Sequence, residues 1–427
     1  VHLFKTKSVG PAPALLKCPG AKNALLPALY AALLLKGRST FLNAPTALLD
    51  SERTFTLLRS LGVHAEVGEE RVCLDASGIG VANLDFEAAG ATRYSALLLG
   101  VAMALGVSIR IPVPGGCQLK RGLDIHIAGL RGLGAEIDED GAGISLRPGG
   151  PSSGQCYFRL RSPSVGATLN LILATVKGRQ AATFANVSIE PEVCSFIELL
   201  NTAGARIRWV ADRTVSIEPV RALQAVEWTI IPDRIAAMTY MVAATMLERG
   251  LVLTGVRPDE MLCPLEVLKE AGLQFEVTPS RGEIRLRPTA LRKLRPFSVV
   301  AEPYPGFPTD LQPIFAALAG KIDGESSISE RVFDTRFEYI PVLQALGSNI
   351  RVDGTVAVIR GKLERCPATV SFACTDIRGG MSCTLYAMSQ HADFRVHEFS
   401  QIQRCYVNLE KMFLSLGYDA IAAADPN

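Results

Sequence analysis

Six times along this chain an apolar helical run closes on a small residue or leucine, then glycine, then an alternating strand pattern. The endings read Leu57-Leu58-Arg59-Ser60-Leu61-Gly62, Leu130-Arg131-Gly132-Leu133-Gly134 and Leu199-Leu200-Asn201-Thr202-Ala203-Gly204. They return as Val267-Leu268-Lys269-Glu270-Ala271-Gly272, Val342-Leu343-Gln344-Ala345-Leu346-Gly347 and Met412-Phe413-Leu414-Ser415-Leu416-Gly417. The six glycines are 72, 70, 68, 75 and 70 residues apart, so units of this length account for all 427 residues. A glycine just past a helix end suits the left-handed backbone, where any Cβ is penalised. The alternation that follows, Val63, Ala65 and Val67 against His64 and Glu66, is that of a half-buried strand.

A second helix-glycine-strand step runs out of phase with the first, at Gly37, Gly106, Gly178, Gly250 and Gly320, spaced 69, 72, 72 and 70. Its sixth position falls near His391, where glycine is absent but a strand Phe394 to His397 follows. Strands are predicted likewise at Ser39 to Leu42 and Val107 to Val113. Six α/β units exceed what one core supports, which argues for two lobes of three units. The segment Trp228 to Arg234 is the plausible crossing point, and a crevice between lobes is the default place for a ligand.

Composition narrows the function. Lys+Arg total 44 and Asp+Glu 42, a net charge of +2 that argues against a massed basic surface for nucleic acid. No run reaches about 18 apolar residues, so no membrane span is expected. Pro11 and Pro13 interrupt any signal-peptide pattern. The ten cysteines include no CxxC pair, and a cytoplasmic protein with reduced, mostly buried thiols is expected. No GxxxxGK[ST] loop or HExxH occurs, which disfavours P-loop phosphotransfer and simple zinc hydrolysis; hydride transfer on a Rossmann unit is disfavoured as well.

Several stretches could carry chemistry. Gly20-Ala21-Lys22-Asn23 opens an apolar helix, as an anion site or as a plain start with a surface lysine. Ser164-Val165-Gly166-Ala167-Thr168 opens another, as a cap or a phosphate cradle. Pro114-Gly115-Gly116-Cys117-Gln118-Leu119-Lys120-Arg121 puts a thiol on a glycine turn beside two cations, alone among the cysteines, and nearby cations favour the thiolate. Asp124 and His126 follow at a helix start. Asp310, in Pro308-Thr309-Asp310, is either a cap or a general base. Arg93, Arg336, Arg378 and Arg404 stand at element boundaries and are singly uninformative.

Together and in order these stretches resemble the enolpyruvyl transferase family, over essentially the whole chain. Within it they are closest to the UDP-N-acetylglucosamine branch, through Gly20 to Pro27, Pro114 to Cys117, Ser164 to Thr168 and Glu190-Pro191-Glu192. Pro232-Asp233-Arg234, Phe307 to Asp310 and Thr375 to Arg378 match as well. The resemblance implies a two-lobed inside-out α/β barrel of six βαβαββ-type repeats, with residues 22–231 in one lobe and 1–21 plus 232–427 in the other. It implies transfer of the carboxyvinyl group of phosphoenolpyruvate to a sugar hydroxyl of a uridine nucleotide, with release of phosphate. No metal or organic cofactor, no nucleic acid, and a monomer or weak homo-oligomer are expected.

By position, Lys22, Arg93, Cys117, Arg121, Arg378 and Arg404 would bind the donor. Asn23, Arg121, Leu123, Asp124, Ile125, Ser164, Val165, Gly166, Thr309, Asp310, Val332 and Phe333 would bind the acceptor. Asp310 would take the acceptor proton, and Cys117 would protonate the methylene carbon or assist phosphate departure. Lys22, Arg404 and Asp376 complete the catalytic set, and Asp310 or Asp376 would stabilise cationic character at C2. Asp50, Glu190 and Asp233 match positions near the lobe contacts. The chain also departs from the family: a shortened Cys117–Arg121 span, then Gly122, Ser162, Ile189, Ala236, Gln403 and Cys405. These changes fall mostly on acceptor and hinge positions and raise UMP or another nucleotide as an alternative acceptor. An inactive, regulatory UDP-sugar binder is a third reading, opposed by the joint presence of Lys22, Cys117, Asp310, Arg378 and Arg404.

Overall fold

All six helix-terminal glycines are left-handed, with φ of +82° at Gly62 and between +90° and +100° at Gly134, Gly204, Gly272, Gly347 and Gly417. The structure, a computed structural model, describes residues 1–80, 84–115, 122–150, 155–334, 336–362, 369–374, 376–390 and 393–422. The out-of-phase series is less uniform. Gly37 and Gly106 have φ of +84° and +70°, whereas Gly320 ends its helix at an ordinary φ of −63°.

The chain divides into two compact units, one contiguous over residues 20–231 and one formed by residues 1–19 with 232–427. One strand order recurs in five four-stranded sheets: an edge strand pairs parallel with its neighbour, and two antiparallel pairings follow. In the contiguous unit this order runs Glu227–Thr229, Arg38–Leu42, Arg71–Asp75, His64–Val67. A second sheet there runs Cys156–Arg159, Ala182–Ala185, Thr214–Glu218, Arg206–Ala211. A three-stranded sheet joins Ile109–Pro112, Gly143–Pro148 and Ala135–Asp140 by antiparallel pairs.

The discontinuous unit holds three such sheets. In the first, Ala14–Lys17 pairs parallel with Leu251–Thr254, which the hairpin strands Glu283–Leu286 and Phe275–Thr278 extend. In the second, Ser298–Ala301 lies beside Gly324–Glu330, followed by Val356–Gly361 and Asn349–Asp353. In the third, Thr369–Ala373 and Asp393–His397 lead to His2–Thr6 and Tyr418–Ala422. The strand expected over Val107 to Val113 is shorter, because the Val107 amide is spent closing the preceding helix on Ala102.

Among the described residues each unit contains three helices buried on almost every face. They are Lys22–Ala32, Leu97–Leu105 and Val165–Val176 in one unit, and Arg234–Met246, Gln312–Ala319 and Ile377–Met388 in the other. Their sequences explain this: beyond the first turn they carry only apolar, glycine, hydroxyl and amide side chains, and a helix apolar all round must be covered all round. Other helices, such as Leu49–Ser60 and Leu262–Glu270, expose a charged face. Among the described residues no helix is long and apolar enough to cross a membrane.

The buried helices approach closely enough to require glycine. A Cβ on Gly100 would lie 2.3 Å from the Asn170 carbonyl oxygen and 2.4 Å from its Oδ1. Gly100→Ala is therefore expected to destabilise by about 1–3 kcal/mol through overpacking, against the roughly 1 kcal/mol that alanine gains as a helix former. A lower urea midpoint with an unchanged m-value would be the readout.

Candidate active site

All six buried helices begin at residues singled out in the sequence. In the contiguous unit Lys22 is the first residue of its helix, Arg93–Ala96 is the 3-10 turn feeding Leu97–Leu105, and Ser164 caps Val165–Val176. In the discontinuous unit Asp233 caps Arg234–Met246, Thr309–Leu311 feeds Gln312–Ala319, and Asp376 caps Ile377–Met388. A covered helix can show polar groups only at its ends, and its N-terminal end is electropositive. Charged side chains gathered there suit an anionic ligand.

In the discontinuous unit the centre is Asp310, about a quarter exposed, between two guanidinium groups that are nearly inaccessible. Arg336 Nη2 donates to Asp310 Oδ1 at 2.7 Å, while Arg378 Nη2 and Nε donate to Oδ2 at 3.1 and 3.3 Å. Arg336 Nη1 also donates to Thr309 Oγ1 at 3.0 Å, and that hydroxyl donates to Glu330 Oε2 at 2.7 Å. The other Glu330 oxygen accepts the backbone amides of Val332 and Phe333 at 2.7 and 3.1 Å. Asp376 Oδ1 accepts the amides of Arg378 and Gly379, both at 2.9 Å, fixing the turn from which Arg378 reaches out.

Burial opposes the charge on Arg336, and Asp310, Asp376 and Glu330 more than offset it, so the guanidinium stays protonated above its usual range. Arg378 behaves alike: burial opposes its charge, and Tyr406, Cys405, Asp310 and Asp233 favour it. The Tyr406 ring lies 5.1 Å from the Arg378 guanidinium, and its hydroxyl is 3.1 Å from Thr239 Oγ1 on the buried helix Arg234–Met246. Arg336 Nε and Arg378 Nη1 are buried donors with no hydrogen-bond partner among the described residues. Arg404 is buried two residues before Tyr406 and donates to Gln401 Oε1 at 3.1 Å.

In the contiguous unit Lys22 is buried, not the surface lysine that the bland reading allowed, and pairs with the buried Asp50 at 3.1 Å. Gly20 lets the chain pass Asn43, whose carbonyl oxygen would sit 1.8 Å from a Cβ there. Tyr94 Oη donates to Asn23 Oδ1 at 3.0 Å, and Arg93 Nη2 donates to the Gly122 carbonyl at 3.3 Å. Leu123 is buried just before the helix Asp124–Gly132; Ile125 packs on the core, and Asp124 is ion-paired with Arg161. Ser164 Oγ accepts the Ala167 amide at 3.3 Å, so its capping role is realised. Gly166 lies against His126, whose Nε2 would be 2.9 Å from a Cβ, and Val165 packs on the core. Cys117 and Arg121 lie outside the described residues.

Sequence reading missed Glu330, Tyr406 and the His126–Asn170 pair. It also treated Cys117 as the only thiol in a cationic setting. Cys73 is a second: burial opposes ionisation there, but Thr40 at 3.4 Å with Arg38 and Arg71 pulls its pKa below the thiol range. Arg38 and Thr40 come from the partner strand, which only the sheet register reveals. Of the other described cysteines, Cys18, Cys374, Cys383 and Cys405 are buried, and burial pushes Cys374 up to about 12. A hollow of about 340 Å³ lined by Thr46, Glu52, Phe55 and Arg59 among others contains none of the candidate residues. The convergence of charged groups at helix ends is the better guide to chemistry.

His126 is fully buried, and its pKa is pushed down to about 3 by burial first and then by Arg93. Asn170 Nδ2 lies 3.0 Å from His126 Nδ1, an arrangement in which the neutral ring accepts at Nδ1 and keeps its proton on Nε2. The unfolded chain then binds one more proton than the folded one between about pH 3 and the ordinary histidine value of about 6.5. Stability from this residue is complete above that window and is lost as pH falls through it. His126→Gln is expected to flatten the acid limb of the stability–pH curve; urea midpoints measured from pH 7 to pH 4 would check this.

Comparison with known proteins gives the family and the fold. The family model described as EPSP synthase (3-phosphoshikimate 1-carboxyvinyltransferase) matches residues 8–413. A UDP-N-acetylglucosamine 1-carboxyvinyltransferase of Symbiobacterium thermophilum is 36% identical over 406 residues, covering 93% of this chain and 90% of its own. The protein of that name from Mycobacterium tuberculosis is 34% identical, with 93% of each chain covered. Among solved structures, the enolpyruvyl transferase NikO from Streptomyces tendae superposes with a TM-score of 0.86 at 22% identity over 98% of both chains. EPSP synthase from Acinetobacter baumannii gives 0.70 at 16% identity over 99% of this chain and 100% of its own. The two solved structures establish a shared fold, and the sequence matches establish descent: the chain belongs to the EPSP synthase family of carboxyvinyltransferases.

Proposed function

We propose that this protein transfers the carboxyvinyl group of phosphoenolpyruvate to a sugar hydroxyl of a uridine nucleotide, UDP-N-acetylglucosamine foremost, and releases phosphate. The observation that carries the reading is Asp310, a partly open carboxylate held from both sides by buried guanidinium groups, each of which keeps a donor with no hydrogen-bond partner among the described residues. Names of relatives at 36% and 34% identity support the acceptor. The three buried helices per unit, packed on one another and on the recurring sheets, support the finer architecture: two inside-out lobes, each of three repeats.

In this reading Asp310 takes the proton of the acceptor hydroxyl as its oxygen bonds to C2 of the donor, and a proton is delivered to C3. The tetrahedral adduct then loses a proton from C3 while the C2–O bond to phosphate breaks, restoring the vinyl group. Cys117 delivers the C3 proton or assists phosphate departure. Lys22, Arg93, Arg121, Arg378 and Arg404 hold the donor's carboxylate and phosphate. Asp376, occupied with its helix cap, acts on C2 through its field. Asn23, Leu123 to Ile125, Ser164 to Gly166, Thr309, Val332 and Phe333 serve the acceptor.

A second reading, with UMP as acceptor, is favoured by one local feature. Position 162 is serine where the resemblance implies a lysine, and the neighbouring Arg161 is engaged with Asp124, leaving fewer cations for a diphosphate.

Phosphate release from phosphoenolpyruvate, measured separately with UDP-N-acetylglucosamine and UMP, distinguishes the two; release with neither rejects both. Asp310→Asn is expected to lower kcat by about a hundredfold or more while nucleotide binding, followed by calorimetry, persists. Full turnover in that variant would remove Asp310 from the role of base.

A further inference from the structure

We infer that Glu330 and Arg336 are positioning residues for the Asp310 carboxylate, and that they tie it to the Val332–Phe333 turn. The role of Asp310 as base rests on the proposed function; the positioning claim stands on the geometry alone. Glu330 is completely buried at the end of the strand Gly324–Glu330. A buried carboxylate is costly unless its oxygens are satisfied. One oxygen holds the turn's two backbone amides, and the other takes the Thr309 hydroxyl proton. Thr309, its own proton thus committed, presents a lone pair to Arg336 Nη1. That bond and the 2.7 Å bond from Nη2 to Asp310 set the plane of the Arg336 fork.

The result is a connected series, from turn amides through Glu330, Thr309 and Arg336 to Asp310 Oδ1. Arg378 holds Oδ2 from the opposite side. A carboxylate gripped at both oxygens by groups on separate elements cannot rotate freely, so its orientation is fixed before any ligand arrives. The charged groups around it are accounted for by element. Arg336 and Arg378 touch it, and Glu330 and Asp376 act on Arg336. Tyr406, Cys405 and Asp233 act on Arg378, and Tyr339 lies within reach of Asp376, Arg336 and Glu330.

A merely structural role and a positioning role differ in what they do to the Asp310 proton equilibrium. Removing the Arg336 charge withdraws support for the carboxylate. Removing the Glu330 charge leaves Arg336 to act on Asp310 without competition. The test is a carbon-13 NMR titration of the Asp310 carboxyl in the full chain, assigned with Asp310→Asn, in the variants Arg336→Met, Arg336→Lys and Glu330→Gln. Arg336→Met is expected to raise the Asp310 pKa by about 1 unit or more, Glu330→Gln to lower it, and Arg336→Lys to leave it near the parent value. The acid limb of kcat, read by phosphate release, is expected to move the same way. If Arg336→Met does not fold, Glu330→Gln, which keeps the side chain's size, carries the test. An Asp310 titration unchanged in every folded variant overturns the inference. NMR shifts as expected, in a protein that releases no phosphate with any uridine nucleotide, uphold the positioning and refute the proposed activity instead.

Discussion

The constraint on which this structure depends is the burial of helices that have no polar face. Arg234–Met246 and Gln312–Ala319 are buried at every residue, and Lys22–Ala32 at all but one. Such helices cannot lie on a surface; each needs neighbours on every side, and the other buried helices and the sheets supply them. What remains for chemistry is the helix end. Free amides, a positive dipole and a few long charged side chains collect there because the rest of the helix has no place for them.

Charge in so enclosed a setting survives only in balanced groups. Lys22 is matched by Asp50, and the Arg336 and Arg378 guanidinium groups are matched by Asp310, with Glu330 and Asp376 close behind. Breaking one partner of such a pair costs far more than the pair contributes, since the remaining charge is stranded in a poor solvent. Binding groups and folding groups are therefore the same side chains here. Substitution at the candidate site acts on stability and on ligand affinity together, and the two need separate measurement.

The sequence disclosed the features that are local. A glycine at φ near +97° after Ala271 or Leu416 leaves its mark in consecutive letters, and the caps at Ser164 and Asp376 do so too. The same holds for the helix starts at Lys22 and Asp310, which adjoin unmistakable apolar runs. Features that arise from pairing across distance were not legible. Nothing in the letters joins Lys22 to Asp50, and Arg336 read as one more boundary arginine until Asp310, 26 residues away, was placed against it. Glu330 carried a faint signal: it ends a strand, and its only advantage over a neutral residue there is the set of donors it gathers. Cys73 needed the register of its sheet. A resemblance in ordered motifs supplied roles for residues such as Cys117 that physics alone left open.

The discontinuous unit has a consequence for how the chain is made. Its strand His2–Thr6 is an inner strand, flanked by Asp393–His397 and Tyr418–Ala422, so the third sheet joins residues almost the whole chain apart. The contiguous unit can assemble on the ribosome as soon as residue 231 has emerged. The strand His2–Thr6 must wait, unpaired, until Asp393–His397 and Tyr418–Ala422 have been made. Loop closure on that scale is slow, and an unpaired strand carrying Leu3 and Phe4, exposed meanwhile, is open to mispairing. Assembly of the discontinuous unit therefore depends on keeping that strand free of wrong partners until its right ones exist.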